Sequence, residues 1–428
     1  MDNREHFGGR ASVILAMAGS AIGLGNIWRF PYVAGQNGGA AFILIYIACS
    51  FLLSLPIFLS EAVIGRRSNS NAIGAMKVLS PKTNWRLLGY LSVITPMIIV
   101  SYYTIVGGWS LEYFLRSLSL NFGEFCPTGW TVLAFSVIFL SISCLIVALG
   151  VKTGIEKFSK ISIPMLFFLI LVIVIYSVNM PGASKGVDYL IKPDFSKVTG
   201  RTFAYALGQS FYSLSLGMGI IITYSSYIRK EENLVVSGVG TAIADLLFAM
   251  LAGFAIIPAV FSAGIEPGSG PGLIFETLPV VFTDMGATHQ WIGIVIAALF
   301  FLTVIIAAMT SSISLIEVGV AYLVEEKHVK RGVACLYVFL FTLALGLVSV
   351  FSSKAFGIID AFSSNVLLTI GAFIAVLFVG WKMDKEAIRD EITNGGKVNT
   401  KVFGFFHFLI RYIAPVAVLT IFITNFFL

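Results

Sequence analysis

Charge is scarce in this chain. Asp, Glu, Lys and Arg make up 12% of its 428 residues, about half the roughly 25% of a soluble domain. Histidine is scarcer still: His6, His289, His328 and His407 are scattered and lie near the ends of apolar runs. No pair has metal-ligand spacing, and no Ser/His or Cys/His constellation stands out, so an enzyme is not indicated. Of the four cysteines, Cys49, Cys144 and Cys335 fall in apolar runs and Cys126 stands alone in a loop. Without paired spacing they imply neither a zinc motif nor a required disulfide and read as packing residues. A low-complexity linker and a separate soluble domain are also missing. The opening MDNREHFGGR mixes acids with bases and leads to no small-residue cleavage site, so no signal peptide is expected. GLGNIW lacks the third glycine and the βαβ setting of a nucleotide-binding loop.

What the chain has is hydrophobicity: 57% apolar residues and a mean hydropathy of +0.93. Repeated apolar runs of about 20 residues indicate a polytopic membrane protein. Lipid demands internal pairing of backbone groups, so these runs should be helices; the short alternating segments of a β-barrel are absent. The expectation is an all-α protein of about eleven spans, at 11–36, 40–65, 87–116, 129–149, 155–179, 199–228, 234–263, 287–324, 332–351, 357–381 and 403–427. With the N-terminus inside, segments 1–10, 66–86, 150–160, 229–233, 325–331 and 382–401 hold two, five, three, two, three and five Lys or Arg, 20 of the 28. That bias places the N-terminus in the cytoplasm and the C-terminus outside. The net charge of +6 is therefore topological, and no nucleic-acid partner is indicated. Between 264 and 286, AGIEPGSGPGLIFETLPVVF contains an apolar stretch too short to cross and reads as a re-entrant or capping loop.

One stretch of the first span is a poor helix. MAGSAIGLGNIWRFP, Met17 to Pro31, places glycines and small residues mid-span and follows them with Asn26 and Arg29, although arginine at bilayer depth is rare. Span six carries a related SFYSLSLGMGI. The two are five spans apart, so the second enters the membrane from the opposite side. Interrupted spans at matching positions of two inverted halves point to a transport site. Close helix packing through small residues is the plainer reading of either break alone.

At these residues the chain resembles the neurotransmitter:sodium symporter family, in particular its bacterial amino-acid branch typified by LeuT. The likeness is carried by REHFGGRASVILAMAGSAIGLGNIWRFPYVAGQNGGAAF, by SLSLGMGIIITYSSYIRK and by AAMTSSISLIEVGVAYLVEE. It implies a single transporter domain with a LeuT-like fold: 5+5 inverted repeats at about 11–179 and 199–381, unwound helices 1 and 6, and an extra helix at about 403–427. It further implies a multi-pass protein of the bacterial plasma (inner) membrane, a monomer or weak homodimer. Such a protein imports a small amino acid with two sodium ions by alternating access.

Site residues follow from the same resemblance. The first sodium site would use the Ala21 carbonyl, Asn26, Ser213 and Asp245; the second, carbonyls of Gly19, Ile22 and Ala307 with hydroxyls of Thr310 and Ser311. Outside the family context, Asn26 would read as an interhelical hydrogen bonder and the Thr-Ser-Ser run as packing. Asp245 stands where LeuT has asparagine, and the glutamate that LeuT carries one turn later is absent here, where Ala249 and Met250 stand. Asp245 would thus supply the fixed negative charge that two sodium ions need, and no chloride requirement is expected. The substrate carboxylate would meet the N–H groups of Leu24 and Gly25 and the Tyr103 hydroxyl. Its ammonium would meet the carbonyls of Ala21, Tyr212 and Ser213 and the Ser215 hydroxyl. Ile99, Tyr212, Met218, Ser311 and Leu315 would form an uncharged side-chain pocket, suited to a hydrophobic or aromatic amino acid.

Arg29 with Asp360, and Gln209 alongside, match the outer gate; Arg4 with Glu325, and Tyr227 near them, match the inner one. Glu61 would accept freed N–H groups of span six. Gly154 and Pro164, ten residues apart in GIEKFSKISIP, would permit local unwinding of span five. Glu317 is open to two readings, a proton carrier or a member of a buried network. An amino-acid sensor or channel-like protein on the same scaffold would share every ion ligand named.

Overall fold

The computed structural model describes residues 5–264, 271–397 and 399–427. Among them the regular structure is entirely helical. A first broken helix comprises α1 (Arg10–Ala21) and α2 (Gly25–Gln36), bent by 57°. Then come α3 (Ala40–Ser68), α4 (Arg86–Ser117), α5 (Trp130–Ala148) and α6 (Val151–Val178). A second broken helix follows, α7 (Gly200–Ser213) and α8 (Ile220–Ser225). The other long helices are α9 (Leu234–Ser262), α10 (Gln290–Lys327), α11 (Arg331–Val350), α12 (Ser353–Lys382) and α13 (Lys401–Thr424); shorter ones connect them.

Nine described helices are long and apolar enough to cross a membrane, and the α1–α2 pair makes ten. The expected eleventh is the α7–α8 pair, whose second piece, Ile220–Ser225, is six residues long, too short to count as a span on its length.

Helix α10 is the axis of the molecule. Every residue from Thr303 to Ala321 is buried, the hydroxyls of Thr310 and Ser311 and the carboxylate of Glu317 among them. It packs against α4 along its length and against α1, α6 and α11. Peripheral helices differ: α5, α6 and α11 leave Leu145, Phe168 and Phe341 exposed, as a surface facing hydrocarbon requires. The capping-loop expectation concerns residues partly outside the described set; of the rest, Thr277–Thr288 is helical. Phe275, just before it, packs with Trp28, Trp109, Tyr113 and Phe125 at ring-centroid distances of 5.3–6.4 Å.

The two breaks lie side by side in this bundle. After Ala21 the chain extends through Ile22, at φ −71° and ψ 105°. The second break, between α7 and α8, takes Ser215, Gly217 and Gly219 through positive φ, at 55°, 77° and 69°. At Gly217 a side chain is excluded for a second reason, since a Cβ there would overlap the Leu368 carbonyl.

Candidate functional site

Broken helices free backbone groups, and their partners define the site. Gly23 N–H donates to Asn26 Oδ1 at 3.1 Å. Leu24 N–H donates to the Tyr103 hydroxyl oxygen at 3.0 Å, and the Gly25 carbonyl accepts from Gln209 Nε2 at 3.0 Å. A Cβ at Gly23 would overlap the Ser311 hydroxyl and come within 2.9 Å of the Tyr103 oxygen. On the facing break, Gly217 N–H donates to Glu61 Oε1 at 2.7 Å, the supporting bond expected of Glu61. Ser215 Oγ donates to the Ser20 carbonyl at 2.9 Å, tying the breaks together.

Asn26, Ser213 and Asp245 form one buried cluster. Asn26 Nδ2 donates to Asp245 Oδ1 at 2.7 Å and to Ser213 Oγ at 3.2 Å. Ser213 Oγ lies 2.8 Å from both carboxylate oxygens of Asp245. The Asn26 oxygen is directed at Gly23 N–H, so this cluster is knit by internal hydrogen bonds. No described Lys or Arg forms an ion pair with Asp245. Tyr46, which sequence reading passed over, buries its hydroxyl in reach of Ser213 and Asp245 without a well-aligned hydrogen bond.

A second cluster joins the end of α1 to α10. Thr310 Oγ1 donates to the Ala307 carbonyl at 2.9 Å and lies 3.3 Å from the Ile22 carbonyl oxygen. Ser311 Oγ reaches that same oxygen at 3.4 Å. Gly19 faces the group: a Cβ on it would stand 3.6 Å from Thr310 Cβ and 3.4 Å from Ser159 Oγ. All five residues expected at this position therefore converge.

Between the clusters is a narrow cavity of about 30 Å³. Ala21, Gly25, Tyr103, Ser213 and Ser215 line its polar part, and Ile99, Tyr212, Met218, Ser311 and Leu315 the rest. No charged side chain lines it. Above it a vestibule of about 270 Å³ is lined by Leu24, Arg29, Tyr103, Tyr212 and Asp360, among others.

The sequence profile of the sodium:neurotransmitter symporter family matches residues 4–133 and 128–428. The chain belongs to this family. A sodium-dependent transporter of Bacillus subtilis is 36% identical over 434 residues, 96% of this chain and 95% of the relative. One from Haemophilus influenzae is 34% identical, covering 99% and 98%. The crystal structure of MhsT in complex with L-phenylalanine superposes with a TM-score of 0.87 at 34% identity, covering 99% of this chain and all of MhsT. The protein is thus a multi-pass, sodium-dependent transporter of a small molecule, with a LeuT-like fold.

In this symporter the expected outer gate pair is not joined. Arg29 lies over the Tyr212 ring, 5.0 Å from its centroid, and Asp360 accepts from Ser364 Oγ at 3.1 Å. At the opposite end the N-terminal segment packs on α8 and the residues that follow it. Phe7 N–H donates to the Tyr227 carbonyl at 3.1 Å, and the Phe7 ring meets Tyr224 and Tyr227 edge-on. Arg4 lies outside the described residues; Glu325 accepts from Asn71 N and Nδ2 at 2.8 and 3.0 Å.

Glu317, open to two readings from sequence, belongs to a buried network. It pairs with Arg331, and Tyr227 Oη donates to it at 2.7 Å. Arg331 also donates to the Val147 carbonyl at 2.8 Å. Glu5 and Glu156, by contrast, were not anticipated. Glu5 accepts from Val151 and Lys152 N–H, and Glu156 from Gly8 N–H, which fastens the N-terminal segment to α6. Helix α6 itself runs through Pro164, and Gly154 packs where a Cβ would overlap the Ile146 carbonyl. The turn that holds Gly154, Val151–Glu156, is a wide π-helical turn, and beyond it the helix stays α-helical through Pro164.

Proposed function

We propose that this symporter imports a neutral amino acid with an apolar or aromatic side chain, driven by two sodium ions and without chloride. The observation that carries the reading is the buried Asp245 carboxylate, held by Asn26 and Ser213 and without a basic partner among the described residues. A buried carboxylate stays ionised only if a cation compensates it. Sodium, a hard ion, suits the oxygens gathered there: Asp245, Ser213 and the Asn26 amide, with the Ala21 carbonyl adjoining and the Tyr46 hydroxyl to spare. The carbonyls of Gly19, Ile22 and Ala307 and the hydroxyls of Thr310 and Ser311 make a second, neutral oxygen set. With a zwitterionic substrate, Asp245 then offsets one of the two added charges, and chloride has no place to fill.

Tyr103 and the N–H groups at the α2 start favour a carboxylate. The uncharged cavity walls favour an apolar side chain, a choice supported by the phenylalanine bound to MhsT. On this reading Arg29 and Asp360 close over the loaded site while Phe7 and Tyr227 part below it. The basic loops favour a bacterial plasma membrane with the N-terminus inside, and the matched breaks favour inverted repeats.

Uptake by proteoliposomes under an inward sodium gradient tests this. The expected result is saturable accumulation of phenylalanine, leucine or a similar amino acid, unchanged when gluconate replaces chloride. Binding without accumulation would favour a sensor; loss of uptake in gluconate would remove the role given to Asp245.

A further inference from the structure

Away from the two breaks, an apolar groove of about 390 Å³ runs between α4, α10 and α11. Its walls include Ile94 and Ile98 of α4, Tyr322 and Leu323 of α10, and Tyr337 and Phe341 of α11. Ile94, Tyr337 and Phe341 are 51%, 52% and 55% exposed, so the groove opens to the outside of the bundle. Within a membrane such a recess must be filled by hydrocarbon, because an unfilled one forfeits its dispersion contacts.

Charge at one end narrows what fills it. Arg86 precedes Tyr90, Ile94 and Ile98 at four-residue intervals, so it shares their face of α4. Lys327 follows Gly319 and Leu323 at the same interval on α10. Lys330, at the start of α11, stands seven residues before Tyr337 and eleven before Phe341. At 1.5 Å per residue these cations lie about 12, 6 and 10 Å along their helices from Ile94, Leu323 and Tyr337. All three are exposed, and among the described residues none is in an ion pair. The nearby acids are already engaged: Glu326 with Lys77, Glu317 with Arg331, and Glu325 with Asn71. An apolar slot therefore ends in three uncompensated positive charges, with Tyr90 and Tyr337, side chains suited to a membrane interface, close to that end.

We propose that this groove binds one anionic phospholipid, an acyl chain lying along Ile94, Leu323 and Phe341 and the phosphodiester headgroup held by Arg86, Lys327 and Lys330. A zwitterionic lipid fits the same slot but gains less from the three cations.

Native mass spectrometry of the full-length protein, titrated separately with dioleoylphosphatidylglycerol and dioleoylphosphatidylcholine, tests this. One phosphatidylglycerol should be retained with a preference of about tenfold over phosphatidylcholine. Arg86→Gln, Lys327→Gln and Lys330→Gln should each lower that preference by up to about fivefold, and the triple variant should abolish it. A control triple, Lys382→Gln, Lys385→Gln and Lys401→Gln, should keep it. Ile94→Trp, which fills the slot from an exposed position, should reduce retention of both lipids. Equal retention of the two lipids by the wild type, a preference that survives the triple variant, or equal loss in the control overturns the proposal. Should the variants fail to fold, phosphatidylglycerol with a photoreactive acyl chain can be cross-linked to the wild type. Adducts should map to residues 93–98, 319–323 and 337–341. Adducts only elsewhere, or a second copy of the chain cross-linked at this face, would also overturn it.

Discussion

Arg29 and Asp360 line one vestibule without forming an ion pair: the guanidinium rests 5.0 Å from the Tyr212 ring centroid, and the carboxylate accepts from Ser364. Their coupling should appear only when the vestibule closes. Arg29→Gln and Asp360→Asn should each slow uptake by about tenfold, and together by little more than either alone, a coupling of about 1–2 kcal/mol. Initial uptake rates for the four members of the cycle measure it. Additive losses would mean that the two act separately.

Asp245 meets Asn26 and Ser213 but, among the described residues, no basic one. Replacing it with Ala leaves bound sodium without its fixed counter-charge, an omission that costs about 3–5 kcal/mol for a buried pair. Uptake by Asp245→Ala should fall at least a hundredfold in gluconate and recover in part at high chloride, since a mobile anion can take the vacated place. Parallel assays in the two salts decide this.

Asn26 stands between the carboxylate-binding break and Asp245. Asn26→Ala should weaken sodium and substrate together, each by about tenfold or more, because coupled sites lose affinity reciprocally. Substrate titrations at several sodium concentrations give both constants. Unchanged sodium-dependent affinity would remove Asn26 from the first ion site.

Gly23 has no room for a methyl group against Ser311 and Tyr103. Gly23→Ala should reduce substrate affinity by about a hundredfold while Tm falls by only a few degrees. Adding Ser311→Ala removes the nearest obstructing atom and should restore part of the binding. Failure of that rescue would point to a backbone distortion instead.

Arg331 neutralises Glu317 in the buried network with Tyr227. Arg331→Ala strands a carboxylate and should destabilise the protein by about 3–5 kcal/mol. The double change Arg331→Gln with Glu317→Gln should recover most of that loss. Thermal unfolding in detergent compares the variants, and a double change as damaging as the single one would show that Glu317 stays uncharged.

The spans and both breaks were legible because they are written locally: apolar runs set the helices and Gly-x-Gly marks the breaks. The second oxygen cluster joins Ile22 to Thr310 and Ser311 on a distant helix and was legible only through the family resemblance. What stayed open, as for Glu317, or escaped notice, as for Glu5 and Glu156, depends on partners that no local pattern supplies. Glu317 finds Arg331 across a loop and Tyr227 from 90 residues away; Glu5 and Glu156 matter only because the N-terminal segment lies on α6. The direction of the Asn26 amide is decided by Gly23 and Asp245 together, which no linear pattern encodes.

The two interruptions differ in how readily they could be straightened. Across residues 214–219, helical continuity would require Ser215, Gly217 and Gly219 to reverse the sign of φ, with Gly217 seated against the Leu368 carbonyl. At the other, no residue has a positive φ, and the departure is centred on one extended torsion at Ile22. Straightening the second break would therefore ask more of the backbone than straightening the first, with three signs of φ to reverse against none.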